Sequence, residues 1–201
     1  MLYENRLSIP CIDSICDAAD ESARADSLSE LRECIRIARN LHIPNVRVHA
    51  SAHGDGDEAA VAGLITDLLP EAETAGVTLL LETSGLFCDT AKLREILESF
   101  ACDNLAALWD MYSPYFLADE KPEKTVENLG AYIRHIHIKD ARRADGETRF
   151  CLMGEGELPV GDMMLALRSV DYDGFISLEW DPAWCPEIND MEIVMSQFEN
   201  F

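Results

Sequence analysis

IRHIHIKD, residues 133–140, alternates two imidazoles with isoleucines before ending in a lysine and an aspartate. In an extended strand successive side chains point to opposite faces. His135 and His137 therefore share one side of this run, and Ile136 and Ile138 the other. Three further short runs are built alike: VTLLLE (77–82), LAALWD (105–110) and FISLEW (175–180). By the same parity Glu82 lies with Leu80 and Thr78, Asp110 with Leu108 and Ala106, and Glu179 with Ser177 and Phe175. Arg47 and His49 separate from Val46 and Val48 in the same manner. One face of these strands is thus apolar enough to pack beneath helices. The other gathers Arg47, His49, Glu82, Asp110, His135, His137 and Glu179. A doubly wound sheet covers both faces with helices and could not bury such a row. A barrel interior, open to solvent at the C-terminal ends of its strands, could.

The segments between these runs read as helices. Leu7–Cys11 is expected to form a first strand. Ser27 and Glu30 have the spacing of a capping box, which would open a helix through about Leu41. A strand over 46–50 precedes a helical pattern over 57–75 that ends at Gly76, a residue suited to a C-terminal cap. Pro70 is expected to kink or divide that helix. Further helices are expected over about 90–100, 122–132 and 161–170, with a last one opened by Pro186 and Asp190. A Gly-rich loop (Met153–Gly161) leads into the penultimate helix. The resulting order is six βα units in one domain, residues 1–201, with a parallel sheet and helices outside it.

Bulk composition narrows the partners. The net charge of -22, from 38 acidic against 16 basic residues, opposes binding to phosphate backbones and to anionic membranes. No run approaches the roughly 20 apolar residues of a membrane span. The seven cysteines include no CxxC pair, and the N-terminus lacks the pattern of a signal peptide. A reducing cytoplasm with free thiols is the expectation.

The stretches LLLETSGLFCDT, ALWDMYSPY, IRHIHIKDA, GEGELP and ISLEWDPAWCPEI together resemble the sugar phosphate isomerase/epimerase group of the xylose isomerase-like TIM-barrel superfamily. The resemblance runs from about Leu7 to the C-terminus. It implies a (β/α) barrel in which Glu82, Asp110, His137 and Glu179 hold one divalent metal ion (Mn, Mg, Co or Zn), hard or borderline cations suited to carboxylate and imidazole. It also implies that Glu82 and Glu179 act as an acid/base pair on opposite faces of a small sugar or sugar phosphate. Two departures stand out. Relatives begin with two further βα units, so this chain reads as an N-terminally truncated or open barrel, completed by a partner or by homodimerisation. Relatives also commonly carry WDxHHPY where this chain has WDMYSPY, with Tyr112 and Ser113 in place of two imidazoles.

The expected substrate contacts are Arg47, His49, Ser113, His135, Lys139, Arg143, Glu155 and Trp180, with Arg142 and Trp184 beside them. Each has a plainer reading. Lys139 and Asp140 can form a surface pair, Arg142 and Arg143 can be solvated in a loop, Glu155 can sit in a turn, and the tryptophans can pack under a helix. The expected chemistry is isomerisation or epimerisation by proton transfer through an enediolate. The alternative is a degenerate barrel that serves as a binding or assembly subunit. A DNA-cleaving member of the same superfamily is disfavoured by the charge and by the missing histidine-rich zinc set.

Overall fold

The computed structural model describes residues 7–50, 56–144, 146–188 and 190–200. Six parallel strands form one sheet: β1 (Cys11–Asp13), β2 (Asn45–Val48), β3 (Thr78–Glu82), β4 (Leu105–Asp110), β5 (Ile133–Ile138) and, after an excursion, β8 (Ile176–Leu178). Each pairs with the next, so the sheet has no point at which strand order reverses. A sheet that steps one way with its helices on one side curls, and here it curls into a half-barrel.

The helices on the outside are α1 (Arg24–Leu41), α2 (Glu58–Ala75), α3 (Thr90–Phe100), α5 (Pro122–Leu129), α6 (Val160–Ser169) and α7 (Met191–Glu199), while the short α4 (Tyr112–Leu117) follows the end of β4 directly and starts against the Asp110 carboxylate. Leu79, Leu81, Ala107, Trp109, Ile136 and Ile138 point outward into the main core beneath them. Leu80, Ala106 and Leu108 form a separate small apolar cluster on the inner face. That division follows the strand parity read from sequence. The inner cluster makes an apolar floor beneath the polar row. Among the described residues no helix is long and apolar enough to cross a membrane, and all seven cysteines are unpaired.

Several boundaries differ from expectation for identifiable reasons. The first strand starts at Cys11 rather than Leu7, because Pro10 has no N–H to give to a ladder. Helix α1 begins at Arg24, behind a 3-10 turn capped by Asp20. The Ser27/Glu30 box does not form: Ser27 is buried within the helix, and Glu30 instead accepts from the Ile15 amide at 2.6 Å. Pro70 does not divide α2, which runs unbroken to a left-handed cap at Gly76 (φ 67°). Both Pro70 and Thr66, whose carbonyl loses its helical partner, are exposed, so water can serve that carbonyl.

Residues 140–151 are not a loop. They fold as an antiparallel hairpin, β6 (Asp140–Ala144) with β7 (Glu147–Cys151), which pairs with itself and not with the sheet. Asp140 is not a surface partner of Lys139. Its buried carboxylate accepts from the backbone amides of Ala141 (2.8 Å), Gly154 (2.9 Å), Gly156 (2.9 Å) and Leu158 (3.2 Å). The Gly-rich loop is thus wrapped around one carboxylate, which explains Gly156. A Cβ on Gly156 would lie 2.0 Å from Asp140 Oδ1 and 2.6 Å from the Ala141 carbonyl. Gly156→Ala is therefore expected to destabilise the fold by about 1–3 kcal/mol, the usual cost of forced overpacking. Urea denaturation would measure it, and an unchanged midpoint would refute this account of the loop.

Candidate active site

Strands β2 to β5 and β8 all end at one mouth, and the stagger between them decides which side chains meet. Glu82 is level with Leu108, whereas Asp110 is level with His137, and His137 with Ser177. Glu179 lies one inward position beyond Ser177, its amide donating to Ile138 at 2.9 Å.

Glu82 is the most heavily engaged group. It is only 3% exposed. Its Oε2 accepts from Arg47 at 3.1 Å and Ser84 at 3.0 Å and faces His49 Nδ1 at 3.4 Å, while Oε1 lies 3.0 Å from His137 Nδ1. Burial alone would push this carboxyl up. The hydrogen bonds from His137 and His49 and the charge of Arg47 outweigh it and hold the group well below the usual carboxylate range. Arg47 also donates to the Ser14 carbonyl at 3.0 Å. His137 is the counterpart: burial pulls its pKa down, but the hydrogen bond and charge of Glu82 prevail and raise it. Its other nitrogen, Nε2, lies 3.9 Å from Asp13 at the end of β1.

Asp110 is held from several directions. Its main chain exchanges hydrogen bonds with the Thr83 hydroxyl at 2.9 and 3.1 Å. Its side chain accepts from the Tyr112 amide at 3.2 Å and from the Ser113 hydroxyl. Lys139 Nζ lies 3.2 Å from Asp110 Oδ1 and also binds Glu179 Oε2. Burial lowers the lysine pKa, but the charges of Asp110 and Glu179 reverse that and raise it.

The expected four-ligand set is therefore divided. Glu82, His137 and Glu179 each offer a ligand atom, and these atoms lie within 4.8 Å of one another. Two carboxylates and an imidazole suit Mn, Mg, Co or Zn. The chemistry of the donors fits such an ion: Arg47 occupies only one oxygen of Glu82 and Lys139 only one of Glu179. Asp110 stands outside that triad, engaged by Lys139 and Ser113.

The remaining expected contacts fall into two groups. His135 is buried against Ser177 (3.0 Å), and burial first, then the charge of His137, push its pKa down to about 4, so it is a neutral wall. His49 is joined to the Glu82 cluster, also through Ser84 at 3.2 Å. The partly buried Trp180 has an indole N–H with no partner among the described residues. Trp184 packs on Phe150 of the hairpin, ring centres 4.4 Å apart. Arg143 is not drawn to the triad: it stacks over Phe116 (4.6 Å) and faces Glu157 at 3.7 Å. Glu155 is exposed, at the outer turn of the Gly-rich loop. Asp13 and Ser84 were not singled out from sequence. The parity argument places Asp13 on the inner face once β1 is drawn at Cys11–Asp13.

Residues 1–195 match the family described as xylose isomerase-like TIM barrel. The chain belongs to this family. It is 26% identical over 170 residues to fructoselysine 3-epimerase of Shigella flexneri, covering 80% of this chain and 60% of that protein. The fructoselysine 3-epimerase of Escherichia coli O157:H7 is 25% identical over 170 residues, with 80% and 61% covered. The chain thus spans about three fifths of the length of these relatives. Among solved structures, a 3-keto-D-glucoside 4-epimerase from E. coli superposes with TM-score 0.77 at 17% identity, covering 98% of this chain and 80% of that one. The IOLI protein, solved with a binding zinc atom, gives TM-score 0.77 at 16% identity, covering 94% and 73%.

The raised His137 pKa has consequences of opposite sign with and without metal. A proton retained at His137 opposes a metal ion. Mn²⁺ affinity, measured by calorimetry between about pH 6 and 8, is expected to rise with pH, with proton release; a flat profile would remove His137 from the ligand set. In chelator, the protonated imidazole stabilises the fold fully below its unfolded value of about 6.5. That contribution is lost as pH rises through the elevated folded value. Thermal melts should show this loss in the native protein and not in His137→Asn.

Proposed function

We propose that this chain is a divalent-metal-dependent sugar epimerase or isomerase that moves a proton between carboxylates and a small sugar. The observation that carries this reading is the meeting of Glu82, His137 and Glu179 at the mouth of the half-barrel. An ion held by these three would polarise a substrate carbonyl and its neighbouring hydroxyl, acidifying the C–H between them. The rest of the chemistry belongs to the chain. Glu82 is kept ionised by Arg47, His49 and His137, as a base must be. Glu179, its side chain 29% exposed just beyond the far strand β8, would return the proton, to the other face in an epimerisation or to the other carbon in an isomerisation. Arg47 fixes the Glu82 carboxylate, and neutral His135 walls the cavity without adding charge.

The fructoselysine 3-epimerases support a sugar or sugar derivative as the substrate class. The pairing of cations favours an unphosphorylated one: Arg47, Lys139 and Arg143 each already face a carboxylate. Glu82→Gln and Glu179→Gln are each expected to lower solvent deuterium exchange into a responsive ketose by about 10²–10⁴-fold. The screen should cover ketoses, aldoses, their phosphates and amine-linked ketoses. Full exchange in both variants would refute the acid/base assignment. Absence of both metal and exchange would favour the binding-subunit reading.

A further inference from the structure

Lys139 occupies an unusual place for a lysine. Its side chain is 10% exposed, and its ammonium lies among the very carboxylates expected to receive a dication. Two of the four family-type ligands, Asp110 and Glu179, are in contact with it. The ring of Tyr112 lies 5.5 Å from Nζ and that of Trp184 5.9 Å. The other cation of the site behaves differently: Arg47 meets Glu82 on Oε2 and leaves Oε1 toward His137. Arg47 therefore sits beside the ligand triad, whereas Lys139 bridges the triad member Glu179 to the outlying Asp110.

We propose that Lys139 is a resident counter-cation of the metal centre, competing with the divalent ion for Glu179 and Asp110 and so setting how tightly the ion is held. The inference rests on the proposed metal site and concerns its regulation. A unit positive charge a few ångströms from a dication repels it, and in a sheltered site water screens that repulsion poorly. Without an ion, removal of the ammonium would leave Asp110 and Glu179 as neighbouring uncompensated carboxylates. A dication bound at Glu179 repels the neighbouring ammonium and drives it from that carboxylate. The faces of Tyr112 and Trp184 give it an alternative resting place that retains part of its stabilisation.

The test compares wild-type protein with Lys139→Gln, which keeps most of the length and a hydrogen-bonding head without the charge. Mn²⁺ titration by calorimetry, with Co²⁺ absorption as an independent readout of the ligand shell, is expected to show about tenfold tighter binding in the variant. Unchanged or weaker binding, with wild type still binding Mn²⁺, would overturn the counter-cation role while leaving the metal centre standing. Failure of both proteins to bind Mn²⁺ or Co²⁺ at millimolar concentration would overturn the metal centre and this inference with it. A measurement on the wild-type chain covers the case in which the variant does not fold. Acetylation of Lys139, followed by mass spectrometry against exposed Lys121, should increase on saturation with Mn²⁺ as the ammonium leaves Glu179. Equal labelling with and without metal would overturn the proposal.

Discussion

An ionised carboxylate buried in a parallel sheet is tolerable only if its charge and lone pairs are matched by neighbours, and Glu82 imposes that condition on the whole mouth of this half-barrel. Its partners come from separate parts of the chain: Arg47 from β2, His49 just beyond it, Ser84 from the turn after β3, and His137 from β5. Satisfying one side chain therefore fixes the relative placement of three strands at their functional ends. Arg47 extends the arrangement to the segment after β1 by binding the Ser14 carbonyl. The same contacts that make Glu82 tolerable hold it below the usual carboxylate range, so its burial and its charge state have a single cause.

Much of this was legible in the sequence because alternation along a strand is a strict geometric rule. The ends of β4 and β5 fall where LAALWD and IRHIHI place them, and Leu79, Leu81, Trp109, Ile136 and Ile138 enter the helix-covered core as parity requires. What parity cannot give is contact between residues on different strands, because stagger decides that. Asp110 has the correct face yet is held by Lys139 and Ser113, outside the Glu82–His137–Glu179 group. Lys139 continues the inward row 135, 137, 139, so its position could have been read from its own run. Its charge made a solvated surface pair look equally reasonable. Asp13 escaped notice because Leu7 and Ile9 drew the first strand too far upstream of Pro10.

The hairpin was illegible for a different reason. DARRA and ETRFC carry no apolar stripe, and only Asp140, Ala141 and Cys151 of the two strands are buried. Such strands are held by pairing with each other and by the carboxylate of Asp140, which gathers the amides of the following loop. Local propensity carries little of that information, since the decisive partner of each residue lies across the turn or in the next loop.

The hairpin's independence from the sheet has a wider implication. Its ladder is self-contained, yet its Phe150 meets Tyr112 and Trp184, the two rings beside the Lys139 ammonium, with centres 5.0 and 4.4 Å apart. A cover joined to the rest through Asp140, ring contacts and a few hydrogen bonds, and not through the ladder of the main sheet, can be rewritten, lengthened or exchanged while the strands beneath keep their register. Related barrels can thus diversify what they admit without rebuilding the floor on which the chemistry stands. Inheritance would preserve the strand ends and experiment freely with the roof.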